Sequence, residues 1–76
     1  MPRKLRALRA DLQGAGFAID HQAGSHQVWK HPLLPGIGAT LAGSDGTDAR
    51  PYQEREVREA LRRAQAAREQ QQGGTP

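Results

Sequence analysis

Three histidines fall within one short stretch of the chain: His21, His26 and His31. Histidine is the side chain whose ordinary pKa, about 6.5, lies nearest neutrality, so a pair of them can take up one proton and release another. His26 and His31 are five residues apart on a segment that alternates as a strand does, which sends them to opposite faces. That separation argues against a three-histidine metal site. No nearby acid completes one, and the chain has no cysteine to supply a thiolate. Neither metal nor cofactor is expected. His21 and His26 flank Ala23-Gly24-Ser25, a turn sequence. If the turn holds Ala23 and Gly24, His21 faces His26 across a hairpin, with Cβ atoms about 4.5–5.5 Å apart. A one-residue slip would separate them, and two ordinary surface histidines beside a turn would look the same in sequence.

The elements that would carry these side chains can be read from spacing. Leu5, Leu8 and Leu12 recur at helical intervals and predict a helix over residues 3–15, with Pro2 suited to its first turn. With Gly16 left-handed at C′, Phe17 and Leu12 make the apolar contact of a Schellman ending. Residues 17–22 read as a strand in which Phe17, Ile19 and His21 alternate with Ala18, Asp20 and Gln22. Residues 26–32 form a second strand, in which His26, Val28 and Lys30 alternate with Gln27, Trp29 and His31 until Pro32 ends it. Leu33 to Gly36 read as a loop and Ile37 to Ala42 as a third strand. A second helix is predicted over residues 51–68, with Pro51 in its first turn and an apolar stripe of Val57, Ala60, Leu61 and Ala64. Glu54–Arg58 and Glu59–Arg63 have the i, i+4 spacing of supporting ion pairs. Residues 1–68 then form one domain, and the polar run 69–76 a disordered tail. The class is α+β: helix, three antiparallel strands, helix, with both helices on one face of the sheet and the other face open.

At 76 residues and 36% hydrophobic content, the chain suits one small domain of modest stability. There is no apolar run of membrane-spanning length and no secretory pattern at the start, so a cytoplasmic protein is expected. The net charge of +3 lies entirely in the first half: five basic and two acidic residues in 1–38, six of each in 39–76. Arg3, Lys4, Arg6 and Arg9 crowd the amino end of the first helix, where the helix dipole favours acids. That misplacement points to an external anionic partner such as nucleic acid, the alternative being an excess of charge that keeps a small protein in solution.

The run Gly24-Ser25-His26-Gln27-Val28-Trp29-Lys30-His31-Pro32 resembles the signature of the HicA-type toxins of bacterial type II toxin–antitoxin systems: Gly-Ser/Thr-His, an aromatic residue three positions after the histidine, then Lys/Arg-His-Pro. The likeness covers about residues 4–64, including the leucine-striped helix and the Gly-Phe entry into the first strand. It implies a fold similar to double-stranded-RNA-binding domains, an mRNA interferase activity, and a cognate HicB-type antitoxin over the active face. The family's essential histidine falls on His26 and its aromatic residue on Trp29, which belongs to the core side. His21 departs from the pattern, standing where a basic residue such as arginine is usual. The acidic loop before the second helix is also longer.

The expected chemistry is metal-independent RNA cleavage. Neutral His26 removes the 2′-hydroxyl proton, and Lys30 on the same face holds a phosphate oxygen. Ser25 donates a hydrogen bond or merely shapes the turn, and His21 is a further candidate as the acid. Arg3, Lys4, Arg6 and Arg9 hold RNA without reading its sequence. A non-catalytic module docking on double-stranded RNA, and a domain covered by a partner's strand, are the competing readings.

Overall fold

The computed structural model describes residues 2–73, and side chains for residues 2–70. The order is α1 (Leu5–Gly14), β1 (Ala18–Ala23), β2 (His26–His31), β3 (Leu34–Ala42) and α2 (Pro51–Gly73). The strands form an antiparallel sheet in the order β1-β2-β3. This is the expected α+β arrangement.

Leu5, Leu8 and Leu12 are all buried, as their spacing requires. No side chain caps the start of α1. The loop before α2 does so instead: Leu5 N–H donates to the Thr47 carbonyl and Arg6 N–H to that of Asp45, which satisfies two otherwise orphaned donors. At the other end Phe17 N–H donates to the Leu12 carbonyl at 2.9 Å and Gly16 N–H to Gln13 at 3.1 Å. Gly16 has φ +95°, so the Schellman ending forms as its residues imply.

The β1–β2 hairpin turns on Gly24 and Ser25, so Ala23 pairs with His26, Gln22 with Gln27 and His21 with Val28. A positive φ at Gly24 and none at Ser25 is the pattern of a type II′ turn. The expected His21–His26 pairing is therefore displaced by two residues along β2. A bulge at Asp20 follows, beyond which Ile19 pairs with Trp29. The extra residue breaks the alternation expected for β1: Phe17 and Ile19 turn toward the helices, while His21 goes to the opposite face. Every β1 residue is exposed, as befits a short edge strand, and even Ile19 remains 43% exposed.

β3 begins at Leu34 rather than Ile37, because Pro32 and Leu33 alone make the turn. Pro35 is tolerated because β3 is an edge strand and its ladder with β2 is irregular there. Arg50 and Gln53 open α2 with half of a capping box: Gln53 Oε1 accepts from Arg50 N–H at 2.8 Å, and its amide donates to the Ala42 carbonyl. α2 continues to Gly73, so Glu69–Gly73 are helical where a disordered tail is expected from sequence. Residues 74–76 of that tail lie outside the described residues. The i, i+4 pairs expected along α2 are replaced by a closer i, i+3 pair of Glu59 with Arg62.

One core joins all layers. The leucines of α1, Trp29 of β2, Ala39 and Leu41 of β3, and Val57, Ala60 and Ala64 of α2 pack together. The buried sheet residues all belong to one face, so the other face is left uncovered. Among the described residues no helix is long and apolar enough to cross a membrane.

Candidate functional site

The uncovered face carries the polar chemistry. Alternation from the buried Trp29 places Val28 and Lys30 on it, together with His26; His21 and Ala23 join from β1, and Thr40 and Ala42 from β3. His26 is exposed, and its neighbours across the two ladders are Ala23 and Ala42. Flanked by methyl groups, its imidazole stands clear of the surface. His21 shares the face but sits diagonally from His26, because its own partner is Val28. Diagonal positions of this kind are about 7–8 Å apart at the backbone.

His21 has a neighbour that the sequence pattern hides. Its Nδ1 lies 2.8 Å from Asp20 Oδ2, and the same oxygen is 3.5 Å from Lys30 Nζ. The hydrogen bond from His21, then the charge of Lys30, hold the Asp20 carboxyl below the usual aspartate range. The bulge makes this contact possible. Consecutive residues in a regular strand point to opposite faces, and the alternation expected for β1 separates Asp20 from His21. The only signal in the sequence is the Asp-His dipeptide itself.

Lys30 is four residues from His26 along β2, about 13 Å at the usual rise per residue. It stands beside Asp20 and His21 rather than His26. Ser25 is exposed as the second residue of the hairpin turn. His31 is on the helix side, as the alternation predicts. Its ring meets Phe17 edge-to-face at 5.2 Å between centroids, and its Nδ1 accepts from Leu33 N–H. Among the described residues no group of three or more His, Cys, Asp or Glu side chains could hold a metal ion.

The four basic residues, Arg3 and Lys4 just ahead of α1 and Arg6 and Arg9 within it, lie on the helix layer, away from His26. Arg3 pairs with Asp11 at 2.7 Å, an acceptor whose hydrogen bond and charge raise the guanidinium above its ordinary pKa. Lys4 pairs with Asp48. Arg9 donates through Nε to Gln27 Oε1 at 2.7 Å, through Nη2 to the Gly43 carbonyl, and through Nη1 to Asp45 at 2.6 Å. Arg6 is exposed. Arg3, Lys4 and Arg9 thus each pair with an acid of the same chain, Arg3 and Lys4 at the exposed surface and Arg9 partly buried.

His21 and His26 are exposed on their face. A cleft of about 540 Å³ lies on the helix side, between the end of α1, the β2–β3 turn and Arg68, and another of about 650 Å³ follows the β2–β3 edge, where Val28, Lys30 and Thr40 of the uncovered face line it together with Glu56. An exposed sheet face suits an extended polymer, whereas small ligands are enclosed by concave sites. Set against known proteins, the chain matches no family model, no curated protein and no solved structure.

Proposed function

We propose that this chain is the toxin of a HicA-type toxin–antitoxin pair, a metal-independent endoribonuclease acting on mRNA in the cytoplasm. The observation that carries the reading is the placement of His26: exposed on the uncovered face of the sheet, at the head of the Gly24–Pro32 run. A ring tucked beneath the helices could not reach a polynucleotide. The α-β-β-β-α order with an open sheet face supports the finer likeness to double-stranded-RNA-binding domains.

Neutral His26 takes the proton from a ribose 2′-hydroxyl, whose oxygen then attacks the adjacent phosphorus. Base assistance of this sort is worth about 10²–10⁴-fold. The products are a 2′,3′-cyclic phosphate and a freed 5′-oxygen. DNA, which lacks the 2′-hydroxyl, is not a substrate by this route. Lys30 binds a phosphate farther along the strand than the one attacked, given its distance from His26. Arg3, Lys4, Arg6 and Arg9 draw a polyanion at long range through the overall field. A HicB-type antitoxin, acidic and seated on the open face, would silence the enzyme.

The test is cleavage of RNA with a chelator present. Wild-type protein should produce fragments, and His26→Ala should not while keeping the wild-type melting transition. Equal cleavage by the variant removes His26 from the mechanism. RNA that is retarded but intact with wild-type protein makes the chain a binding module instead.

A further inference from the structure

We infer that Asp20 and His21 form a positioned proton-donating pair. Asp20 fixes the His21 ring so that Nε2 protonates the leaving 5′-oxygen while His26 takes the 2′-hydroxyl proton. The inference rests on the ribonuclease reading and adds to it a second catalytic group and its positioning residue.

The backbone is the first observation. Asp20 is the extra residue of a bulge, and only that irregularity lets two consecutive side chains meet on one face. Bulges commonly re-aim side chains beside active sites. The second observation is chemical. Asp20 is held in its ionised form, and an ionised carboxylate can only accept hydrogen bonds. The contact at 2.8 Å therefore requires a proton on Nδ1 of His21. The other ring nitrogen, Nε2, is then the one that exchanges protons with a substrate. The His21 side chain is 63% exposed, so this nitrogen is accessible.

The third observation is the relation between the two histidines. They are diagonal neighbours on one face, and the side chains around them, Ala23 and Val28, are short. A phosphodiester lying on this low floor can be approached by one imidazole from each side. The charges distinguish their roles. His21 has a carboxylate beside it, which orients the ring and fixes the proton on Nδ1. His26 has alanines on both sides. Lys30 is the opposing charge near His21, and the same Asp20 oxygen meets it at 3.5 Å. Among the described residues no element packs over this face, and Asp20, Lys30 and His26 are the titratable groups on it nearest His21.

The step balances without a cofactor. His26 accepts the 2′-hydroxyl proton as the O2′–P bond forms. The P–O5′ bond breaks, and the 5′-oxygen takes the proton of the His21 imidazolium. The enzyme is left with His26 protonated and His21 neutral, and exchange with water restores both.

The experiment compares two substrates: an RNA oligonucleotide, and a ribonucleoside 3′-(4-nitrophenyl phosphate), whose leaving group departs without a proton. His21→Ala should lose about 10²–10⁴-fold in kcat on RNA yet keep the wild-type rate on the nitrophenyl ester. His26→Ala should lose both activities. Asp20→Asn, as a positioning variant, should lower kcat on RNA with KM unchanged while keeping the wild-type rate on the nitrophenyl ester. Equal losses by His21→Ala on both substrates, no loss on either, or an unchanged kcat on RNA for Asp20→Asn overturns the inference while leaving His26 as the base. If wild-type protein cleaves neither substrate, the ribonuclease reading falls and this one falls with it.

Discussion

Replacing Arg9 by methionine keeps most of the side chain's length and apolar stem but removes the guanidinium that ties α1 to β2 and to the loop after β3. Arg9 is only 13% exposed. Two of its bonds, to Gln27 Oε1 and the Gly43 carbonyl, are partly buried and charge-assisted, a class worth about 1.5–3 kcal/mol each. The third, to an Asp45 side chain 70% exposed, adds little because solvent screens it. Gln27 Oε1 also accepts from the Trp29 indole at 3.3 Å, so it keeps one partner when Arg9 is gone. The expected loss is about 3 kcal/mol, taken at the lower end because the two bonds share one side chain. A domain of this size has about 4–11 kcal/mol in total. In urea, with a slope of about 1 kcal/mol/M, the midpoint should fall by about 3 M. RNA retention measured against salt supplies the second arm. Loss of a phosphate ligand lowers the logarithmic salt slope on single-stranded RNA by about 0.7, whereas loss of an internal clamp leaves the slope unchanged in the folded protein. An unshifted urea midpoint together with a reduced slope would refute the clamp and make Arg9 a contact to nucleic acid.

Glycine substitutions separate two costs. Gly43 has φ +122°, and a Cβ there would stand 2.7 Å from Leu5 Cδ1, inside the core. Gly43→Ala should destabilise by about 2–4 kcal/mol through backbone strain and overpacking combined. Gly24 has φ +59° with open space around it, so Gly24→Ala should lose only about 1–2 kcal/mol. Equal melting shifts for the two would rule out the overpacking. The Asp20 carboxyl should titrate below the ordinary value of about 3.9, followed by NMR of its side-chain carbon. Its folded value is the depressed one, so the contact contributes stability above the unfolded pKa and loses it as pH falls through the folded pKa. His21→Ala should return the titration upward, and an unchanged value would mean that the hydrogen bond does not form in solution.

The parts of the fold that follow from local periodicity were legible. Three leucines at helical spacing, a Gly-Phe ending and the alternation through Trp29 gave α1, its Schellman turn and the side of β2 that faces the core. Register was less legible because Ala23-Gly24 and Gly24-Ser25 are both acceptable turn pairs, and the ladder decides between them. The bulge left no trace in the hydrophobic pattern, since every residue of β1 is exposed and any phase looks equally reasonable. His26 could be placed on the open face from alternation alone, but the Asp20–His21 contact depends on that bulge. The ion pairs of the basic cluster were not legible for another reason. Asp45 and Asp48, which engage Arg9 and Lys4, lie 36 and 44 residues away, and charge counting along a chain does not see such partners.

The uncovered sheet has an evolutionary consequence. His21, His26 and Lys30 stand on the side that contributes nothing to the packed interior, so selection can rewrite them without disturbing the scaffold's foundations. Lineages that need a silent copy could lose the imidazoles and retain the shape, and new chemistry could be drafted onto the same pleats.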